Sequence, residues 1–340
     1  MAEKVDQRRG SEAEERHGRP TTATTFVERV GGLASRSGPL GGLVLICLIM
    51  FILTPKFLTL ANLSNVAAQV AVVAILALGS TFVIVSGGID LSVGSVLGAT
   101  GIIFSWVAVK GGAPWPVAIA AGLAAGAAAG GINALLITWA NLPPFIATLA
   151  MLSVGRGLAL VISGGIPLTN IPTTVTSLGT KELFDTIPYV FLVMVVMWLI
   201  TAGVLRKTYL GRCMYAIGGN EEAARLSGIN IFRSKLMIYV MSGLFAGVAG
   251  IVSTARLASG QPQAGLGFEL DAIASVVIGG ASLAGGVGTA TGTLVGAFIL
   301  AVVRDGLNLL NVSSFWQQVV IGGVIALAVM TDTLRRKRAT

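Results

Sequence analysis

Residues 206–235 read RKTYLGRCMYAIGGNEEAARLSGINIFRSK, and this polar stretch decides the fold because the chain on both sides of it is almost continuously apolar. Hydrophobic residues make up 54% of the chain and charged residues only 11%, with a mean hydropathy of +0.85. Soluble domains carry about 25% charged residues. The composition therefore predicts an all-α polytopic membrane protein whose spanning helices flank this central polar island.

Ten apolar segments are candidates to cross the roughly 30 Å hydrocarbon layer of a bilayer. The stretch 270–307 is too long for one crossing and breaks at Ala284-Gly285-Gly286-Val287-Gly288, so it predicts two crossings with a broken or re-entrant course. An even number of crossings places both termini on one side. The other predicted crossings lie near 40–54, 63–86, 92–109, 115–139, 144–163, 188–205, 233–257 and 316–331.

Basic residues indicate which side that is. Seven Lys or Arg residues lie in residues 1–38, six in the polar island and four at 335–338. Because Lys and Arg accumulate on the cytoplasmic side, both termini and the island are predicted to be cytoplasmic. The basic residues flank apolar segments, so the expected partner is the lipid bilayer and not nucleic acid.

The predicted domains are a disordered tail at 1–38, a transmembrane domain at 39–333 and a basic tail at 334–340.

Within the island, residues 220–228 carry a complete helix signal. Asn220 is a preferred N-cap, Glu221 and Glu222 suit the positive end of the helix dipole, and Gly228 is typical of a helix end. A helix of about two turns is not stable alone in water, so it must dock against something. The residues alone leave two interpretations open, docking to a partner protein or packing against the underside of the same subunit.

A second unusual stretch, residues 86–95, reads SGGIDLSVGS at membrane depth. Its glycines free backbone groups that lipid cannot satisfy, so the break must face protein or a water-filled path. Asp90 either caps the helix that follows or contacts a solute or gate. Arg156 also needs a partner inside the membrane, and Asp90 is a candidate for it. The predicted path or gate residues are Asn65, Gln69, Ser86, Gly87, Gly88, Asp90, Ser92, Asn133 and Arg156, and Thr148 is also polar at this depth.

Glycines at four-residue spacing predict close helix packing. One ridge contains Gly122, Gly126 and Gly130, a shorter one Gly243 and Gly247, and a third runs from Gly288 through Gly292 to Gly296. Packing within one subunit and a seam between two subunits both stay open.

No catalytic, cofactor or metal pattern accompanies these features. The chain has no Gly-x-x-x-x-Gly-Lys-Ser/Thr loop for ATP, and its one histidine, His17, lies in the N-terminal tail. Arg304 and Asp305 are expected to pair locally. The sequence therefore predicts a transport component that is not an enzyme and binds no cofactor or metal. A secondary transporter driven by an ion gradient through Asp90 and Arg156 is the alternative, and a membrane enzyme is a third class.

Four blocks resemble, in this order, the permease subunits of ribose-type sugar ABC importers. They are IVSGGIDLSVGSVLGATG, NLPPFIATLAML, GRCMYAIGGNEEAARLSGINI and ASVVIGGASLAGGVGTATGTLVGAFIL, and the similarity runs from residue 40 to 332. The resemblance implies a bacterial inner-membrane subunit with about ten helices that imports a monosaccharide or related polyol such as ribose. It also implies three protein partners: a second copy of the chain, a cytoplasmic ATPase with two fused nucleotide-binding domains that holds ATP and Mg, and an extracytoplasmic sugar-binding protein.

The resemblance further assigns the island helix to the ATPase. By this analogy the helix fits a cleft on the ATPase and moves the crossings on either side of it. The binding protein is expected on the outer loops at 164–187 and 259–269. The family's coupling segment matches Gly218, Gly219, Asn220, Glu221, Glu222, Ala223, Ala224, Arg225, Leu226, Ser227 and Gly228.

Overall fold

A computed structural model describes the backbone of residues 22–337 and the side chains of residues 38–327, 329 and 330. The chain divides into two compact units, residues 1–41 and 42–340. In the first unit the described backbone is helical from Thr22 onward. The described backbone of residues 22–38 is helical, and the boundary of the predicted tail at residue 38 stays a prediction. Residues 1–21 and 338–340 lie outside the described residues, so disorder in the N-terminal tail and the role of the basic tail stay predictions.

Thirteen α-helices make up most of the described chain, with one two-stranded ribbon of β1 (Glu182–Leu183) and β2 (Ile187–Pro188). The helix α3 continues into a π-helical turn at Trp106–Lys110. The helices are α1 (Thr22–Leu53), α2 (Leu60–Val85), α3 (Val93–Ser105), α4 (Trp115–Thr138), α5 (Pro144–Ser163), α6 (Thr173–Thr180), α7 (Tyr189–Lys207), α8 (Tyr209–Gly219), α9 (Glu221–Leu226), α10 (Ile231–Leu257), α11 (Phe268–Ile278), α12 (Ala290–Leu309) and α13 (Ser314–Lys337).

The all-α polytopic membrane fold is confirmed. Seven helical segments are long and apolar enough to cross a membrane, namely α2, α3 with its π-helical turn, α4, α5, α7, α10 and α12. Two shorter apolar helices, Gly38–Leu53 and Ser314–Leu327, coincide with the first and last predicted crossings. The side of the membrane on which the termini lie stays a prediction.

The remaining predicted crossing is wrong as a membrane-spanning helix. With 11 residues, α11 is about 16 Å long, too short for a hydrocarbon layer of roughly 30 Å. Before it, residues 258–267 form turns around Pro262 and run into the bundle, where Ala264 accepts a hydrogen bond from Arg156 on α5. Beyond α11, Gly286 donates a hydrogen bond to the last turn of α2. A re-entrant stretch and a half-length helix therefore together connect the two ends of the bundle.

The core of the second unit is built around α2. Every residue from Val70 to Val85 is buried, because α7, α10, α11 and α12 all pack on this helix. Phe82 of α2 meets Phe245 of α10 edge to face, with ring centroids 5.4 Å apart. A helix that is apolar on all sides belongs in the interior of a bundle, and α2 takes that position.

The glycine ridges pack helices within the subunit. Gly126 on α4 lies against Gly243 on α10, and a Cβ added to either would overlap the carbonyl oxygen of the other. The ridge on α12 is used in the same way, since a Cβ on Gly296 would overlap the carbonyl oxygen of Ser275 on α11. These ridges account for close helix approach inside one subunit, and the homodimer stays a prediction.

The close approach of α4 and α10 predicts the effect of one added methyl group. A Cβ on Gly130 would overlap the carbonyl oxygen of Tyr239, so Gly130→Ala should destabilise the fold by about 1–3 kcal/mol through overpacking. Gly131→Ala is the matched control, because its Cβ would meet only the Val240 side chain at 3.7 Å. Thermal unfolding in detergent measures the difference, and equal melting temperatures for the two variants would contradict this packing.

Candidate coupling helix and translocation residues

The polar island folds into α8 and α9, which are joined at Asn220. The Asn220 side chain caps α9, since its Oδ1 accepts a hydrogen bond from the Ala223 backbone N at 2.9 Å. Gly228 follows the helix with a φ of +85°, and the Ile229 backbone N donates to the Ala224 carbonyl at 3.1 Å. Both the cap and the helix end that the sequence predicts are therefore present.

The short helix α9 has one buried face and one exposed face. Ala224 packs against Cys213 and Ile217 of α8 in a small apolar cluster. On the other face, the Leu226 side chain is 81% exposed, and Arg225 lies beside it in solvent. Packing of α9 against its own subunit accounts for the burial of Ala224. It does not cover Leu226, whose side chain stays in solvent.

An ion pair connects α9 to the second turn of α10. The Lys235 Nζ lies 2.8 Å from the Glu221 Oε2, and the Lys235 side chain is largely buried. Arg225 also lies 3.8 Å from Glu221 and from Glu222, but such exposed pairs contribute little to stability. The Lys235–Glu221 pair therefore gives α9 a direct connection to the membrane-spanning helix α10.

The chain has two glycine-rich breaks, residues 86–95 (the first break) and 284–288 (the second break). Three glycines, Gly87, Gly218 and Gly285, bring α8 against both, and we call them the glycine junction. A Cβ on Gly218 would overlap the carbonyl oxygen of Val85. A Cβ on Gly285 would lie 2.8 Å from the Cα atoms of both Gly218 and Gly87. Gly87 and Gly285 have φ angles of +80° and +89°, which favour glycine. The end of α8 is thus in backbone contact with both breaks.

Tyr215 of α8 adds a polar link to the second break. Its hydroxyl donates a hydrogen bond to the Gly288 carbonyl at 2.7 Å. Burial raises the pKa of Tyr215 above its ordinary value, and the charge of Arg206 opposes this in part. The phenol therefore stays protonated at neutral pH and keeps this donor.

Asp90 is buried just before α3 and accepts three hydrogen bonds. Its Oδ1 accepts from the Ser92 backbone N at 2.9 Å and from the Ser92 hydroxyl at 2.6 Å. Its Oδ2 accepts from the Ser242 hydroxyl of α10 at 2.9 Å. Asn133 of α4 donates to the Ser92 hydroxyl at 2.9 Å. We call these contacts the Asp90 network. The Asp90 carboxylate therefore satisfies the backbone N–H of Ser92, the N-cap residue of α3, and not an amide within the helix. This is a limited form of the capping role that the sequence offered as one interpretation.

The expected pair between Asp90 and Arg156 is wrong. Arg156 Nη1 donates to the Ala264 carbonyl at 2.9 Å. Ala264 belongs to residues 259–269, which the sequence placed in an outer loop. Because residues 258–267 run into the bundle, they supply a partner of Arg156 from within the membrane domain.

Two further polar contacts could not be predicted, because each joins residues far apart in the sequence. Arg304 Nη2 lies 2.9 Å from Asp271 Oδ2, whereas Asp305 accepts from the Asn62 side chain at 2.8 Å. The expected pair between Arg304 and Asp305 is therefore wrong, since consecutive helix residues point about 100° apart. Gln69, a predicted path residue, lines a small cavity beside the Asp271–Arg304 pair.

The other predicted path residues fall into two groups. Ser86 donates to the Val83 carbonyl at 2.8 Å, and Thr148 donates to the Ile89 carbonyl at 3.2 Å. Asn65 is exposed on α2. The structure thus gathers one group at the first break and leaves Arg156, Gln69 and Asn65 elsewhere. The gathered group is Ser86, Gly87, Gly88, Asp90, Ser92, Asn133 and Thr148.

Comparison with known proteins gives the family. Residues 62–329 match the model of the family described as branched-chain amino acid transport system / permease component. The ribose import permease protein of Bacillus subtilis (strain 168) is 47% identical over 309 residues, which cover 91% of this chain and 95% of that protein. The chain belongs to this permease family. No solved structure matches the chain.

Two further relatives are named for a sugar. The ribose import permease protein of Escherichia coli (strain K12) is 44% identical over 299 residues, covering 86% of this chain and 92% of that protein. The xylose transport system permease protein of Haemophilus influenzae is 36% identical over 342 residues, with 83% and 91% covered. By family, the permease is a multi-pass inner-membrane transport component and not an enzyme. The matched residues include the polar island, the glycine junction and the Asp90 network.

The Asp90 network predicts a loss of stability on truncation. Asp90→Ala leaves donors of Ser92 and Ser242 buried without their acceptor, and each unsatisfied group costs about 1–3 kcal/mol. Ser242→Ala removes one donor only and should cost less. Melting temperatures in detergent rank the two variants. An Asp90→Ala protein as stable as wild type would contradict the capping role.

Proposed function

We propose that this permease is the membrane subunit of an ATP-driven importer that carries a monosaccharide or related polyol of the ribose type into the cell. The relatives named for ribose, xylose and D-allose support the substrate class. Sequence identity favours a ribose-like sugar, since it is 47% and 44% to the two ribose permeases and 36% and 37% to the xylose and D-allose permeases.

The observation that carries this proposal is the exposed face of α9. A six-residue helix is too short to persist alone, and here Asn220, Ala224 and Lys235 hold it in place. The exposed face of α9 carries Leu226 and charged neighbours. With the island on the cytoplasmic side, as predicted, this face points into the cytoplasm. A preformed helix with an apolar side chain on its outer face fits a groove on a partner, and the partner that we propose is the ATPase.

The glycine junction supplies a route from that helix to the membrane domain. When the ATPase moves α9, the chain displaces Gly218 at the end of α8, because Asn220 directly joins the two helices. Gly218 lies against Gly87 and Gly285, so both sequence breaks respond together. The Lys235–Glu221 pair passes the same displacement to α10. Since α10 also holds Asp90 through Ser242, the first break is reached by two routes, and its residues serve as the gate.

The assembly that this function requires has three kinds of component: the permease in two copies, an ATPase and a sugar-binding protein. A cytoplasmic ATPase with two fused nucleotide-binding domains holds ATP and Mg. A second copy of the permease completes the translocation path, and an extracytoplasmic sugar-binding protein delivers the solute. The alternative of a carrier driven by an ion gradient has less support, because its proposed pair, Asp90 and Arg156, is not in contact and Asp90 is fully engaged by serines.

The docking face of α9 predicts the outcome of one substitution. Leu226→Glu changes an exposed side chain, so the permease should fold normally but lose the ATPase on purification from native membranes. Leu257→Glu is the matched control, since Leu257 is 55% exposed and lies at the opposite end of α10. Copurified ATPase activity is the readout. Retention of the ATPase by Leu226→Glu, or its absence from the wild type, would reject docking at α9.

The glycine junction predicts uncoupling without loss of the partner. A Cβ on Gly218 would overlap Val85, whereas a Cβ on Gly219 would have open space around it. Gly218→Ala should therefore keep the ATPase bound but reduce sugar uptake by roughly tenfold or more, since misplacement of about 1 Å at a distant site has effects up to this order. Gly219→Ala should retain uptake. Equal uptake by the two variants would exclude the junction as the transmission route.

A further inference from the structure

A groove between α11, α12 and α13 contains charged, amide and aromatic groups. Its volume is about 410 Å³, within the range of roughly 300–1,000 Å³ that is usual for small-molecule sites. We call it the α11–α13 groove. The lining residues that matter here are Phe268, Asp271, Arg304, Gln317, Gln318 and Ile321.

The floor of the groove is the Asp271–Arg304 pair. The side chain of Asp271 is 8% exposed and that of Arg304 is 34% exposed, and Arg304 lines the groove. A guanidinium has five N–H donors, and within the described residues Arg304 donates only to Asp271. Free donors beside a carboxylate therefore face the groove.

The two glutamines of α13 have different surroundings. Gln317 is used by the fold, because its Nε2 donates to the Asn308 Oδ1 at 2.7 Å and to the Val312 carbonyl at 2.8 Å. Gln318 is exposed, and within the described part of the chain it makes no hydrogen bond. Its amide offers both a donor and an acceptor to the groove.

The polar side chains that line the groove are unsuited to contact with lipid. A charged pair and a free amide at membrane depth normally face a water-filled cavity or the interior of an assembly. Sugars present many hydroxyls and one apolar C–H face, so a site for them needs several donors and acceptors beside an aromatic or aliphatic surface. Phe268 and Ile321 supply that surface next to Arg304 and Gln318. The Asp90 network is less suited, because all the oxygens of its carboxylate already accept hydrogen bonds.

We propose that the α11–α13 groove holds a monosaccharide during its passage, with Arg304 and Gln318 hydrogen-bonded to the sugar hydroxyls and Phe268 against its C–H face. This inference rests on the sugar-importer function proposed above. It makes Arg304, Gln318 and Phe268 specificity-determining residues of the path. Asp271 holds the Arg304 guanidinium in the orientation that these contacts require.

A pair of neighbouring glycines on α13 tests the proposal without disturbing the ion pair. Gly322 lines the groove, and a Cβ there would meet nothing within 4 Å. Gly322→Leu therefore fills the groove without an internal clash. Gly323 has equally open surroundings but does not line the groove, so Gly323→Leu is the matched control.

The assay uses the permease assembled with its ATPase and binding protein in proteoliposomes. It measures uptake of D-ribose, D-xylose and D-allose, ATPase activity and subunit stoichiometry. We expect Gly322→Leu to lower uptake by roughly tenfold or more, because a blocked site excludes its ligand, while ATPase activity, stoichiometry and Gly323→Leu stay near wild type. Gln318→Leu should change the ratio of uptake among the three sugars.

Three results would overturn the proposal, and they can be told apart. Normal uptake by Gly322→Leu would reject the groove and leave the importer function standing. Loss of subunit pairing in Gly322→Leu would make the groove an interface between copies of the chain. Absence of uptake of all three sugars by the wild type, with the ATPase bound, would reject the sugar class and the groove together.

Discussion

A membrane helix can be broken only where protein or a water-filled path satisfies the freed backbone groups, and the glycine junction supplies protein contacts at the first and second breaks. The backbone N of Gly286 donates to the Val85 carbonyl at 2.9 Å, so each break satisfies the other. Gly218 and Gly285 have no room for a Cβ, which would lie within 3 Å of neighbouring backbone atoms. Gly87 is favoured by its φ angle of +80°. The same contact brings α8 of the polar island to the end of the central helix α2.

The structure combines a rigid core with movable connections. From Val70 to Val85, α2 is buried on all sides, and a close-packed interior resists gradual deformation. The polar island, in contrast, is held by a cap, a small apolar cluster and the Lys235–Glu221 pair. In the proposed coupling, displacement of the island is therefore more easily passed through the breaks and α10 than through the core. The Asp90 network lies where the first break and α10 meet.

Local sequence signals predicted much of this arrangement. The cap at Asn220, the end at Gly228 and the close packing at Gly126 follow from neighbouring residues and from steric demands, and each is present. The signal of a half-length helix was weaker, because α11 is as apolar as a crossing and only Pro262 and the surrounding glycines reveal that the preceding stretch is not helical.

The partners of buried charges could not be predicted. Asp271 and Arg304 are 33 residues apart, and Asn62 and Asp305 are 243 residues apart, so only the fold brings them together. Arg156 was assigned to Asp90 because both lie at membrane depth. Its actual partner, the Ala264 carbonyl, lies in a re-entrant stretch that the sequence places in an outer loop. Polarity at membrane depth thus identified residues that need partners without identifying which partner each one has.

Photocrosslinking from position 226 in native membranes tests most directly whether the island helix meets the ATPase. A photoreactive amino acid in place of Leu226 should crosslink to a cytoplasmic ATP-binding subunit, and the yield should change when ATP is added. The same group in place of Leu257 should give no such product. Crosslinks from position 226 that stay within the permease or reach only lipid would contradict the account.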